Sequence, residues 1–304
     1  VKAGGSDPGR GIALMLSAVL CFTVLDATAK SIAEDAGLVM ALWSRFLGQA
    51  VVVALIVAPR GTALLKTRYP KLQVLRSAFL LMATTFFFAG LVRIGLAEAT
   101  AIFDVSPVLI TLGAALFLGE RFGVRRAAGV TVSLAGALVI IRPGTDVFTA
   151  GAFLPLCAAV CYSGYALATR FVGRDENAWT SLFYTALIGA AALCVIVPFH
   201  WQTPAPPTIV KMLAIGFFGA AAQFLLIRAL QVAEASAIAP FSYTAIAFAS
   251  LWGFLFFGEV PDGMTFLGMA IIAAAGLYVW HREVRSATPG PETRPEAQAR
   301  GTYP

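Results

Sequence analysis

Three ionisable side chains sit inside stretches that are otherwise apolar: Asp26, Arg45 and Asp104. A charge within a spanning segment is costly, so it faces a partner or a wet cavity. Brought together, two carboxylates and a guanidinium would neutralise one another in part. The arginine could also hold a substrate carboxylate through two parallel hydrogen bonds. The same residue types equally describe a structural ion pair that fixes one helix against the next, and the sequence leaves both readings open.

Aromatic residues form a second group. The chain carries 23 Phe, 7 Tyr and 5 Trp, more than interfacial belts use. Phe79, Phe86, Tyr162, Tyr165, Phe241 and Tyr243, together with Phe87, Phe217 and Phe218, fall inside apolar runs as candidates for an inward-facing wall. Gln223 reads as the amide deep within a span. An apolar wall with a few placed polar groups is what a small amphiphilic ligand requires. Pro107 and Pro240 each free a backbone carbonyl within a span, as bending points or as static kinks. Glu98 and Glu234 open helices, where a negative charge complements the dipole, while Glu120 and Glu259 close them.

Other chemistries find no support. His200 and His281 fall at opposite ends of the membrane, and no HExxH pattern exists. The four cysteines, Cys21, Cys157, Cys161 and Cys194, lie in apolar runs without disulfide or zinc spacing and read as buried small hydrophobes. No metal or cofactor is expected, and without a glycine-rich phosphate loop ATP is not implied. The net charge of +6 is not gathered into a basic patch interleaved with aromatics, so nucleic acid is not a partner. An intramembrane enzyme therefore lacks its catalytic groups, and a channel or sensory protein lacks a filter-like repeat or a signalling domain.

The elements that must position these residues are membrane helices. With 59% hydrophobic and 12% charged residues and a mean hydropathy of +0.82, the chain is far more apolar than a soluble domain, where about 25% of residues are charged. Ten apolar runs, each of about 20 residues as a spanning helix requires, cover 11–33, 38–59, 72–94, 98–119, 124–142, 150–173, 177–199, 209–230, 234–258 and 262–281. The first is too long for a signal peptide and is kept as a mature helix. Asp26, Arg45 and Asp104 then lie six or seven residues from the same face, roughly 10 Å deep at about 1.5 Å per residue. Most of the 22 Lys and Arg, among them Arg60, Lys66, Arg68, Lys71, Arg76, Arg125 and Arg285, fall on the side of the amino terminus. The positive-inside rule places both termini in the cytoplasm.

The sequence also repeats itself. Leu96-Ala97-Glu98-Ala99-Thr100-Ala101-Ile102 returns as Val232-Ala233-Glu234-Ala235-Ser236-Ala237-Ile238, and Cys21, Lys30, Gly119-Glu120 and Gly129 return as Cys161, Arg170, Gly258-Glu259 and Gly268. Such internal symmetry in an apolar chain is the trace of a secondary transporter with its site between the repeats. Five spans per repeat is an odd number, so the repeats are inverted. The positions matching Asp26, Arg45 and Asp104 are Ala166, Tyr184 and Pro240, which makes any chemistry asymmetric.

Pro107, Gly119-Glu120 and Gly129, then Gly258-Glu259 and Gly268, with Trp43-Ser44-Arg45-Phe46 in the second run, resemble the two-copy EamA unit of the drug/metabolite transporter superfamily. Within it the chain is similar to ten-helix exporters, including the YddG type that exports amino acids. One departure is that Pro107 is matched by Tyr243, with Pro240 about a turn earlier. The resemblance implies an all-α integral membrane protein of ten helices as two inverted five-helix repeats, with the first four helices of each repeat around a central cavity. The fifth helices, with Gly129, Ser133 and Gly136 and then Gly268, Ile272 and Gly276, would pack at the periphery or between protomers of a homodimer. The expected organisation is a tail at 1–10, repeats at 11–145 and 146–283, and a disordered cytoplasmic tail at 284–304. The expected role is export of a small metabolite, an apolar or aromatic amino acid foremost, across the inner membrane. Membrane lipid is the other expected partner.

Overall fold

A computed structural model describes residues 8–58, 66–118, 124–142, 149–172, 176, 178–232 and 239–287. Glu120, Glu234 and the second copy of the repeated heptapeptide beyond Val232 lie outside the described residues, as do 288–304. What is described is almost entirely helical, with no strand among the described residues. The first half contains α1 (Pro8–Ala36), α2 (Leu38–Val57), α3 (Pro70–Ile94), α4 (Leu96–Phe103), α5 (Ser106–Leu118) and α6 (Val124–Ile141). The second contains α7 (Phe153–Val172), α8 (Ala178–Ile196), α9 (Pro206–Val232), a 3-10 segment Ala239–Tyr243 running into α10 (Thr244–Phe257), and α11 (Gly263–Ala287). Six of these are long and apolar enough to cross a membrane, and shorter apolar helices cover Thr131–Ile141, Phe241–Phe257 and Gly263–Tyr278.

Connections are tight where glycine permits. Gly37 (φ 87°) alone joins α1 to α2 and Gly95 (φ 102°) alone joins α3 to α4, backbone angles that side chains with a Cβ resist. Pro70 and Pro206 open α3 and α9, where a missing N–H leaves no hydrogen bond unmade. We call the face from which α1 departs the terminal face and the other the distal face.

The helices pack in a pattern that exchanging the two halves reproduces. The α1–α9 contact becomes α7–α3, and α2–α9 becomes α8–α3. Each of α2–α8 and α6–α11 maps onto itself. Two of these contacts bring backbones together. A Cβ on Gly48 of α2 would lie 2.6 Å from the Cα of Gly216 in α9, and one on Gly136 of α6 would lie 3.2 Å from the carbonyl oxygen of Gly268 in α11. The small-residue faces of α6 and α11 therefore meet each other within one chain. Gly216→Ala is expected to destabilise the detergent-solubilised protein by about 1–3 kcal/mol through overpacking. Gly263→Ala, at a position with nothing within 4 Å, is the matched control; equal melting temperatures for the two variants would remove the close crossing from the account.

The largest core lies toward the distal face, built from Leu25, Ile32, Met40, Phe46, Phe88, Leu91, Leu96 and Ile215. Large apolar side chains remain exposed on many helices, including Leu55, Phe117, Val195, Leu213 and Phe256. In water such a surface would drive association; in a bilayer it is the face the lipid wets. Phe217, expected to face inward, is 63% exposed and belongs to this outer surface. Cys157 and Cys194 are exposed rather than buried, and all four cysteines are free. Helix α11 runs to Ala287, past the expected end near 281.

Beyond the core, ion pairs tie the distal face. Lys30 of α1, only 4% exposed, pairs with Glu259 just after α10 and lies 4.9 Å from the Phe257 ring centroid. The second carboxylate oxygen of Glu259 accepts the Leu96 N–H at 2.9 Å, capping α4. Lys211 donates to Asp35 and to the Ser31 hydroxyl, both at 2.7 Å. Arg142 pairs with Asp262 in the connection to α11, and that guanidinium, with Thr265, holds the Asp262 carboxyl well below the usual carboxylate range.

Candidate functional site

A cavity of about 300 Å³ lies between the halves. It is lined from α1 (Phe22, Thr23, Asp26), α2 (Arg45, Gln49), α3 (Leu80, Thr84, Phe87), α7 (Tyr162, Tyr165), α8 (Leu182, Thr185) and α9 (Gln223, Leu226). The α4–α5 junction adds Thr100, Phe103, Asp104, Ser106 and Pro107, and the start of α10 adds Ser242 and Ala245. The first four helical passes of each half thus surround the cavity, and among the described residues the fifth passes, α6 and α11, contribute nothing to its wall.

The α4–α5 junction is the feature a continuous apolar run concealed. Asp104 and Val105 form a turn: Asp104 N–H still bonds Thr100 O at 3.0 Å, but Val105 N–H reaches only Ile102 O, and the Val105 carbonyl starts the next helix. Pro107 is the second residue of α5. It does not kink a helix; it begins one, where its missing N–H is harmless. In the second half the corresponding stretch, Ala239–Tyr243, is a 3-10 segment before α10, with Pro240 as its second residue. The first half's fourth pass is therefore interrupted beside the cavity, the arrangement by which transporters expose backbone groups at a site, and the described part of the second half's fourth pass opens with a 3-10 turn instead of an α-helix.

Asp26, Arg45 and Asp104 all reach the cavity wall. Asp26 is the carboxylate whose field acts on Arg45, with Tyr162 and Tyr165 as further neighbours. The guanidinium carbon lies 5.3 Å from the Phe88 ring centroid and 5.8 Å from that of Phe46, an arrangement that favours a cation. Nonetheless Nε of Arg45 and Oδ2 of Asp104 are buried without a hydrogen-bond partner. Such groups carry a desolvation penalty of about 1–3 kcal/mol each, more when charged, which a ligand bearing the complementary group relieves.

The aromatic wall is a continuous chain. Ring centroids are 4.9 Å apart for Phe87 and Phe103, 5.3 Å for Phe103 and Tyr162, and 5.7 Å for Tyr162 and Tyr165. Of the nine rings expected there, Phe87, Tyr162 and Tyr165 line the cavity, while Phe79, Phe86, Phe241 and Tyr243 do not, nor do Phe217 and Phe218. Phe79 lies against Gly164 of α7, where a Cβ would sit 3.0 Å from its ring. Phe86 packs into the distal core. Phe241 packs with Met15, Val19 and Ala229, and Tyr243 lies against Gly276 of α11. Each sits in an apolar run, but its helical face turns it toward a neighbouring helix. Gln223 lines the cavity as expected, but Gln49 joins it as a second amide within a span.

Arg76 is the residue whose place differs most from expectation. Counted by sequence with the basic residues outside the membrane, it is 2% exposed within α3. Its Nη2 donates to the Ser181 carbonyl at 2.7 Å and to the Thr185 hydroxyl. The signal was present in the sequence: Gln73, Arg76, Ser77, Leu80, Thr84 and Phe87 fall on one helical face.

Among the described residues no cluster of three or more His, Cys, Asp or Glu could hold a metal ion. A solved crystal structure with a TM-score of 0.65 and 20% identity covers 92% of this chain and 99% of its own, and shares its fold. By sequence, the chain is 32% identical to a riboflavin transporter of Rhizobium johnstonii over 74% of its length and 75% of the relative's. It is 29% identical to the pseudopaline exporter CntI of Pseudomonas aeruginosa, covering 87% and 94%. It is 24% identical to an S-adenosylmethionine uptake transporter of Rickettsia prowazekii, covering 91% and 94%. The EamA-like transporter family matches residues 9–142 and again 149–280, one copy in each half of the helical pattern. With both copies matched along nearly the whole bundle, the chain belongs to the EamA-like transporter family, whose members in this comparison move small molecules across membranes.

Proposed function

We propose that this transporter exports a small zwitterionic metabolite, an apolar or aromatic amino acid foremost, across the cytoplasmic membrane by alternating exposure of the central cavity. The observation that carries the reading is one wall holding Arg45 with an open Nε, Asp104 with an open carboxylate oxygen, and a run of four rings. Arg45 takes the substrate carboxylate, Asp104 its ammonium, and Phe87, Phe103, Tyr162 and Tyr165 its side chain. Asp26 shares the charge of Arg45 when the site is empty. A cavity of about 300 Å³ stands at the lower end of the usual range for ligand sites, about 300–1,000 Å³, and suits such a substrate. Pro107 and Pro240, each opening a helical piece beside the cavity, serve as the hinges. Both termini lie in the cytoplasm, on the charge asymmetry of the sequence.

A second reading, export of a larger planar metabolite, draws on the riboflavin transporter relative and on the ring-lined wall. Counterflow in proteoliposomes separates the two. Phenylalanine and methionine are expected to compete for the internal substrate, with riboflavin, sugars and organic dications weaker. Stronger competition by riboflavin would transfer the assignment to the second reading, and a flux that does not saturate would remove the carrier mechanism.

A further inference from the structure

Between the cavity and the terminal face lies a second guanidinium whose donors are mostly unused. Arg76 is the seventh residue of α3, which departs from the terminal face at Pro70, whereas Arg45 is the eighth residue of α2, which departs from the distal face at Leu38. The two arginines approach the cavity from opposite ends. A guanidinium has five N–H donors. Nη2 of Arg76 spends both of its own on Ser181 and Thr185, while Nε and Nη1 are buried with no hydrogen-bond partner. Apart from the Tyr165 hydroxyl beside it, the unused side of this 2%-exposed cation meets no hydrogen-bonding group of good geometry among the described residues.

No acid among the described residues pairs with this guanidinium directly. Glu176, whose field reaches Arg76, is occupied: it accepts from the Thr67 hydroxyl, from the Arg68 N–H at 2.8 Å and from Gln73 at 2.6 Å. A residue serving only to tie α3 to α8 would need the two bonds Nη2 makes and would strand no donors. Arg76 sits just behind the cavity wall, and two of the side chains around it belong to that wall. Its guanidinium carbon is 5.2 Å from the Tyr165 ring centroid, and both Tyr165 and Thr185 line the cavity. Tyr165 also neighbours Arg45, so a carboxylate passing this ring leaves one guanidinium as it meets the other.

We propose that Arg76, with Tyr165 and Thr185, forms a second carboxylate subsite on the terminal-face side of the cavity, which receives the anionic group of the substrate before Arg45 does. The proposal rests on the transport reading above. The substrate class is correspondingly narrowed to compounds carrying a carboxylate, and the amide of the same compound is recognised less well at this step.

Two measurements test it, one of them independent of the amino-acid reading. In detergent, the purified wild-type protein is expected to show a saturable rise in melting temperature with benzoate and not with benzamide. Arg76→Gln is expected to weaken the benzoate response about tenfold or more, as loss of a charge-assisted bond requires, and Arg76→Lys to restore part of it. An unchanged benzoate response in R76Q, or none in the wild type, overturns the subsite whatever the natural substrate. In proteoliposomes, R76Q is expected to raise the half-saturation concentration for phenylalanine applied from the terminal face, with phenylalaninamide much less affected. Equal losses for acid and amide would mark Arg76 as a tie between helices and overturn the subsite, while failure of wild-type protein to transport phenylalanine defeats only the amino-acid reading. Should R76Q not fold, R76K carries both measurements, with a smaller shift of the same sign.

Discussion

Replacing Arg45 by glutamine is expected to raise the half-saturation concentration for a carboxylate-bearing substrate about 100-fold while leaving its amide within a few-fold. The glutamine retains hydrogen-bonding capacity and much of the volume but removes the charge, and bonds to charged groups contribute about 1.5–3 kcal/mol each. Asp26 gives the same site a second signature. Because its field acts on Arg45, Arg45→Ala and Asp26→Ala should be non-additive for stability by about 0.5–3 kcal/mol in a double-mutant cycle. Additive stabilities combined with a large transport loss would assign Arg45 to the substrate alone. Non-additive stabilities with normal transport by every variant that folds would leave the pair a structural tie.

The largest loss of stability is expected at the distal face. Glu259→Ala strands the Lys30 ammonium in a site that is 4% exposed and removes the cap on the Leu96 N–H. Breaking one side of a buried pair costs about 3–5 kcal/mol, whereas replacing both sides by apolar groups is often neutral. A Lys30→Met, Glu259→Leu double variant should therefore melt well above Glu259→Ala, short of wild type by the lost α4 cap. Thermal denaturation of the three proteins in one detergent decides the matter: a double variant no more stable than the single would show that the Leu96 cap, not the ion pair, carries the effect.

What the sequence made legible follows from what a linear pattern can encode. Asp26, Arg45 and Asp104 could be brought to one depth from the ends of the apolar runs alone, since a rise of about 1.5 Å per residue converts position into depth. Tyr162 and Tyr165 were recoverable because deep hydroxyls demand partners or a cavity. The turn at Asp104–Val105 was hidden because hydropathy averages across it: α4 and α5 are both apolar, and two residues of turn do not interrupt a window of about 20. Arg76 was hidden by its company, since Lys66, Arg68 and Lys71 make the stretch read as a basic connection although Pro70 already starts the helix. Phe79, Phe86, Phe241 and Tyr243 could not be told from lining residues because, in lipid, both faces of a helix are apolar and no periodic signal marks the one that packs.

The exchange pattern of the helices also divides the bundle energetically. If the two halves trade conformations, every contact is replaced by its image. The contacts that are their own images, α2–α8 and α6–α11, then contribute equally to both arrangements and cancel from the equilibrium between them. Weakening the α6–α11 seam along its whole length would make both arrangements less stable without favouring either. The Lys30–Glu259 pair is not its own image: Lys30 belongs to the first half and Glu259 to the second, and the position matching Lys30, Arg170, falls near the terminal-face end of α7. Its free energy enters with full weight on one side only, so the populations of the two arrangements hang on such pairs rather than on the helices that hold the bundle together.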